Sequence, residues 1–577
     1  MKQSPWGEDF HKNKGKKMKK GIITIIASLF AIISLFVPVY AQEDSVFEVG
    51  EVQSEDQPLM NVDENGNVTP VDTEALEQEL SQTPMIMSDD MSRNVSVGVV
   101  NFRTKPSAAY NTLYTEDGTN KQGYLNGYSA SDGAFLGYNS DYSKVKFKMA
   151  GVTGWVSASE VQVIDYNSVA SVSYYSVSSG YIYHTITNNI YSSNYASKIL
   201  IGFNPGYLQE GVPYYSYDGH YFYTSYASMV SDYKQGVYTN SVNNNSPYYN
   251  YYQYLPHRSK TTFTAKELDN LTASKANGKL NGLGSYFIQY QNTYGTNAAL
   301  VYSVAVLESG WGTSSIAQNK NNLFGHGAVD SNPYYGANGY SKPSDSILYH
   351  SKVFISEGYC DPLDYSGRYF GSHLGDKGSG INVKYASDPY WGEKAASISW
   401  QLALYTNKND YDTYTLGIKT KNVNLNVRKE ANSSSTNLYQ TGNADNHPFI
   451  ILDEVQGSNV SGNNVWYKIQ SDPTLDSTRS KIVQDKGDYD FNNFYGYVSS
   501  VYVTKVKQGN DQTSQDLLLG DVNLDGSITP SDYVKVKNYI MKKTTLEGNA
   551  LKAADMNQDG SITPADYVKI KNTIMGK

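Results

Sequence analysis

The sequence predicts a multidomain chain. A mainly α-helical central domain is expected between two small β-barrels, with a C-terminal α-helical pair that holds calcium. Three observations lead there. The chain has 577 residues, too many for one hydrophobic core. Residues 93–165 and 415–506 share one plan of short alternating segments broken by Gly, Ser and Asn, the pattern of small β-barrels. Residues 518–577 contain an internal repeat, with Asp521 of the first copy answered by Asp555 of the second.

Residues 1–41 read as an export signal. A basic stretch, "KNKGKKMKK", precedes the apolar run "GIITIIASLFAIISLFVPV", and "VYA" ends at Ala41 as a small-residue cleavage site. A secreted, extracellular or cell-wall-associated protein follows, with no membrane span left after cleavage; the alternative is that the run stays as an uncleaved anchor, since it is long enough to span a bilayer. Residues 42–92 are acidic and poor in aromatics, so a disordered linker is expected. The formal net charge of −9 argues against a nucleic-acid binder. The single cysteine, Cys360, has no partner for an internal disulfide and is expected as a small buried hydrophobe.

In the first β-segment, "NFRTKPS" and "GWVSASEV" hold the places taken by "NVRKEAN" and "GYVSSVYV" in the second. The second copy carries an insertion, "PTLDSTRSKIVQDKGDYDFNN". Between them, residues 168–405 form the expected helical domain. Its N-terminal part is dense in tyrosine, as in "YYSYDGHYFYTSYASM", and most of those rings are expected to pack rather than to bind. Residues 507–517 read as a short linker.

Within "NAALVYSVAVLESGWG" apolar residues cover every helical face, so this helix should be buried, with Glu308 at its C-terminal end. Burial and the negative end of the helix both disfavour a carboxylate there, raising its pKa. A carboxyl protonated near neutral pH is what a general acid needs to protonate a glycosidic oxygen. The glycines of "SGWGTS" allow close backbone approach; Trp311 either lines the cleft or caps the core.

The C-terminal repeat places Asp521, Asn523, Asp525, Thr529 and Asp532 at loop positions 1, 3, 5, 9 and 12, with Gly526 at 6 and Ser527 at 7. Asp555, Asn557, Asp559, Thr563 and Asp566 repeat the pattern, with Gly560 and Ser561. This oxygen-rich spacing suits Ca²⁺, and two structural calcium ions are expected.

Three resemblances extend this reading. "ESGWGTSSIAQNKNNLFG" and "YASDPYWGEKAASI" resemble the motifs of glycoside hydrolase family 73, endo-β-N-acetylglucosaminidases of autolysin type. That resemblance implies a lysozyme-like fold over 168–405. It also implies a peptidoglycan substrate, cut between N-acetylglucosamine and N-acetylmuramic acid. Glu308 matches the family's catalytic acid and Tyr385 a tyrosine assisting at the cleaved bond, while Asn322, Phe324 and Gly325 match a loop beneath the site, grouped here with Trp311 as substrate-binding candidates. Asp330 is the candidate for activating water, Glu357 an alternative, and the substrate's own acetamido group a third possibility. The two β-segments resemble bacterial SH3-like domains, which bind cell-wall peptides or glycans. The loop-then-helix pair resembles a type I dockerin, implying a cohesin-bearing partner protein. A muramidase or lytic transglycosylase of the same fold, or a catalytically inactive wall-binding protein, are the alternative functions.

Overall fold

The computed structural model describes residues 59–82, 95–327, 337–419, 423–483, 488–509, 518–523, 527–546, 548–557 and 560–576. The expected export signal and Asp330, Asp525 and Asp559 lie outside them. No helix among the described residues is long and apolar enough to cross a membrane.

The expected linker is partly built structure. Met60–Val62 and Val68–Pro70 pair as an antiparallel hairpin, followed by a helix over Thr73–Gln82. Composition alone predicted disorder because the segment holds few apolar residues. Three of those few, Met60, Val62 and Val71, are buried, and residues 59–82 also make polar contacts to the domains beside them. Arg103 pairs with Glu79 at 3.1 Å, and Gln401 donates to the Glu64 carbonyl at 2.8 Å.

The two β-segments are wired alike. The first orders its strands Gln122–Leu125, Thr112–Glu116, Val152–Ser157, Lys144–Met149, Asp132–Tyr138, Gly98–Asn101 and Gln162–Asp165. The second orders Asn437–Gln440, Asn426–Arg428, Tyr495–Ser499, Asn463–Gln470, His447–Val460, Leu416–Lys419 and Val503–Lys507. Counted along each segment, both orders are 3-2-6-5-4-1-7. In both, the fourth strand pairs with the first strand through its opening residues and with the fifth beyond them, with a register shift in the run that pairs with the fifth. The sequence predicted closed barrels. Among the described residues no pairing joins the two ends of either sheet, so closure is not found. Alternation fixes which residues face the core; it does not specify whether two edges meet.

The tyrosine-rich segment opens as a three-stranded antiparallel sheet, Tyr174–Ser178, Tyr181–Ile186 and Ser197–Phe203, so the N-terminal part of the expected helical domain is β-structure. Its tyrosines largely pack: Tyr175, Tyr217, Tyr223, Tyr252 and Tyr254 are among the largest fully buried side chains. The helices that follow include α1 (Ala298–Ser309) and α2 (Trp391–Thr406), which pack together, with Ser303 and Ser399 hydroxyls 2.8 Å apart across the contact.

Both β-segments brace the helical part. From the first, the Asn126 amide donates to the Ser387 carbonyl at 2.9 Å and the Tyr124 hydroxyl to the Lys384 carbonyl at 3.0 Å. From the second, the insertion is the docking arm: the Tyr489 amide donates to the Thr293 carbonyl at 2.7 Å, and the Tyr489 ring lies 4.3 Å from the guanidinium of fully buried Arg258. Arg258 donates to the carbonyls of Asp472, Tyr294 and Ser356 at 2.5, 2.6 and 3.1 Å. Arg258→Met should therefore strand several buried carbonyls and destabilise the fold by about 3 kcal/mol or more. Denaturant unfolding measures it; a change under about 0.5 kcal/mol would contradict the role.

At the C-terminus, helices α3 (Pro530–Ile540) and α4 (Pro564–Ile574) pack around Val522, Val536, Ala554 and Ile570, with Tyr533 and Tyr567 stacked at 4.0 Å. Each begins with a capping box: Thr529 with Asp532, and Thr563 with Asp566.

Candidate active site

Helix α1 is buried along all twelve residues. Asn297 caps it, accepting from the Ala299 and Leu300 amides at 3.0 and 3.1 Å. Gly310 ends it in the left-handed conformation, with φ +54°. Trp311 follows at φ +60°, a conformation that costs a bulky residue roughly 1–3 kcal/mol. Its indole N–H donates to the Gly66 carbonyl of the N-terminal hairpin at 3.0 Å, and it is 4 % exposed. Trp311 is thus packed between core and hairpin. Gly312 is needed by the chain's own close packing: a Cβ there would meet the Leu280 amide at 2.5 Å.

Glu308 is 4 % exposed. The Trp391 indole N–H, at the start of α2, donates to Glu308 Oε1 at 2.6 Å. Burial pushes the Glu308 carboxyl up to about 8; the Trp391 bond pulls it down and the Asp388 charge pushes it up. Tyr385 stacks on Trp391, ring centroids 4.4 Å apart, and meets His350, Phe354 and Tyr359 edge-on or tilted at 6.0–6.1 Å. Burial, then the nearby Glu308 charge, holds the Tyr385 phenol well above its ordinary value. Glu308 and Tyr385 are therefore neighbours around Trp391.

The loop residues sit one layer below. Asn322 is 1 % exposed; its side chain donates to the carbonyls of His326 and Asn338 and accepts from the Phe324 and His326 amides. Phe324 stacks on His350 at 3.9 Å. Gly325 turns the chain at φ +61°. His326 is packed, its ring nitrogens within 2.8 Å of the Tyr340 hydroxyl and 3.0 Å of His350 Nδ1. Burial holds both imidazoles below their ordinary range, His326 at about 3. Through His350, which also meets Tyr385, these residues pack in one aromatic cluster with it. Cys360 is buried and free, as expected, its thiol pushed up to about 12 by burial.

Three residues of this centre escaped the sequence reading. Trp391, Asp388 and Lys394 all lie in the quoted run "YASDPYWGEKAASI", where only Tyr385 was singled out. Asp388 accepts from the Tyr390 amide at 2.9 Å, and the fully buried Lys394 ammonium grips Asp388 Oδ2 at 2.6 Å. No start signal marked them: the cap of α2 is Tyr390, without a side-chain cap bond, and Asp388 lies two residues before it. Trp391→Phe keeps the ring and deletes the donor, so the alkaline limb of any Glu308-dependent rate should move to higher pH by about half a unit or more. A pH–rate profile measures it; an unmoved limb would contradict the assignment.

In the C-terminal pair, Asp532 and Asp566 are fully buried at the helix starts, and Asp521 is 5 % exposed. Asp532 accepts from the Asn523 and Thr529 amides, Asp566 from the Asn557 and Thr563 amides. Burial pushes the Asp566 carboxyl up, but the hydrogen bonds it accepts, the two backbone amides first, outweigh this and hold it below the usual range. Gly560 adopts φ +84°, and its amide donates to Asp555. The buried carboxylate oxygens of Asp521, Asp532 and Asp566 are donors of the hard-oxygen kind that a calcium-type cation takes. No group of three or more His, Cys, Asp or Glu among the described residues is already placed as a metal cluster.

A buried carboxyl raised to about 8, at the end of a core helix and walled by tyrosine and tryptophan, has the chemistry a general acid needs. Residues 284–404 match the glucosaminidase family, described as mannosyl-glycoprotein endo-beta-N-acetylglucosaminidase. Residues 519–575 match the dockerin type I domain. The chain thus carries a glucosaminidase-family domain and a type I dockerin. A putative endo-beta-N-acetylglucosaminidase of Streptococcus pneumoniae serotype 4 is 30 % identical over 265 residues, 46 % of this chain and 35 % of that protein. A beta-N-acetylglucosaminidase of Bacillus subtilis is 29 % identical over 193 residues, 31 % of this chain and 21 % of that one. The chain therefore spans about a third or less of these relatives' length. A crystal structure of a catalytic mutant of Staphylococcus aureus autolysin E with the disaccharide NAG-NAM aligns at 23 % identity and a TM-score of 0.22, covering 27 % of this chain and 73 % of that one.

Proposed function

We propose that this protein is an exported peptidoglycan hydrolase that cleaves the β-1,4 bond on the reducing side of N-acetylglucosamine. The single observation that carries this is Glu308: buried, raised to about 8, and hydrogen-bonded by Trp391 within a glucosaminidase-family domain. At neutral pH its carboxyl keeps the proton that it gives to the glycosidic oxygen as the C1–O bond breaks. Developing positive charge at C1 would be met from the opposite side. Asp330 remains the proposed base for water, and the substrate's acetamido group the alternative. Asp388 is a poor base, since Lys394 and the start of α2 already hold its carboxylate. Tyr385, beside Glu308, would orient the sugar at the cleaved bond. Trp311, Asn322, Phe324 and Gly325 would act by shaping the site.

The dockerin would tether the enzyme to a cohesin-bearing partner, with calcium held by Asp521, Asn523, Asp525, Ser527 and Asp532 and by Asp555, Asn557, Asp559, Ser561 and Asp566. Calcium there would supply folding free energy and no chemistry. The like-wired β-segments would hold wall polymer and brace the catalytic domain, raising local substrate concentration.

Digestion of purified peptidoglycan, borohydride reduction and mass spectrometry test the reaction. Reduced N-acetylglucosamine ends are expected. Reduced or anhydro-muramic ends would make the protein a muramidase or transglycosylase, and no fragments a binding protein.

A further inference from the structure

We infer that the N-terminal hairpin Met60–Pro70 is a working part of the catalytic centre, and that Lys394 is the positioning residue that couples it to Glu308. This rests on the proposed role of Glu308. The hairpin reaches the centre from two sides. The fully buried Lys394 ammonium donates to the Met60 carbonyl at 2.8 Å and to Asp388 Oδ2 at 2.6 Å. Asp388 Oδ1 accepts from the Tyr390 amide, and its carbonyl from the Trp391 amide at 3.2 Å. Trp391 in turn holds Glu308. On the other side, the Met60 methyl lies 3.4 Å from where a Cβ on Gly310 would be, and Gly66 accepts from Trp311. The hairpin thus closes the end of α1 against water two residues from Glu308.

The charges around Glu308 come from few elements. From the segment leading into α2 come Asp388 and Tyr385; α2 itself adds Lys394. The stretch His350–Tyr359 adds neutral His350 and Tyr359 behind Tyr385. The hairpin adds no charge at the contact; Glu64 faces Lys198 at 3.5 Å, and Lys275 meets the Asn65 carbonyl. Lys394 is therefore the cation set against the Asp388 field.

Four variants of the full chain test this by the pH dependence of kcat on peptidoglycan. Lys394→Met unmasks Asp388, so the alkaline limb should move up; Asp388→Asn removes that field, so it should move down, each by about 0.5–1 unit. Val62→Asp expels the hairpin and admits water; since burial is the largest cause of the Glu308 shift, the limb should again move down, with kcat falling and KM nearly unchanged. Lys394→Arg should restore the wild-type limb. Melting curves identify a variant that folds poorly, and the sign of the shift in each variant that folds still decides the test. Losses of rate with the limb unmoved in all variants would overturn the inference. A wild-type protein that releases no fragments would overturn the glucosaminidase reading instead.

Discussion

Glu308→Gln should lower kcat on peptidoglycan by about 10²–10⁴-fold, the range that general acid catalysis contributes, while leaving KM nearly unchanged. Gln keeps the shape and can still meet the Trp391 N–H through its carbonyl, so the pocket survives and only the proton is lost. The same substitution has a stability signature. A carboxyl raised to about 8 in the fold, against about 4.3 when unfolded, contributes fully below the lower value and loses its contribution as pH rises through the upper. Gln does not titrate. The variant should thus melt near the wild type at pH 4 and increasingly above it toward pH 8. Full lytic activity in the variant, or a melting difference that ignores pH, would remove Glu308 from its role.

Removing calcium with a chelator should melt the C-terminal pair and leave the rest folded. Its core rests on few fully buried residues, Val522, Val536, Ala554 and Ile570, too small to be stable unaided. Each calcium site at a hundredfold excess over its Kd stabilises by about 2.7 kcal/mol. Chelation should therefore reduce the helical circular dichroism by the share belonging to α3 and α4, abolish binding to a cohesin, and spare the lytic rate. Retention of those helices without calcium would contradict the metal assignment.

What was legible in the sequence follows the physics of each signal. The C-terminal repeat was readable because its loop and cap residues occupy fixed spacings: Asp532 and Asp566, at position 12 of the repeated pattern, are the carboxylates of the two capping boxes. Helix α1 was readable from apolar residues on every face, and Glu308 from its place at the helix end. The paired β-segments were visible as strands, and their identical order bears out the repeated plan, yet closure depends on edge pairing that alternation does not encode. The hairpin was missed because three buried side chains and a set of backbone acceptors leave almost no trace in composition. Lys394 and Asp388 were missed for a related reason. A charged pair reads as a solvated face until the fold shows it enclosed.

The measurement that bears most directly on the whole account is the pH dependence of kcat for the wild-type protein on purified peptidoglycan. A general acid acts only while it holds its proton, so the rate should stay high through pH 7 and fall with an apparent pKa near 8. A rate already falling above about pH 4.5, where an ordinary glutamate loses its proton, would contradict a buried, proton-bearing Glu308 as the acid.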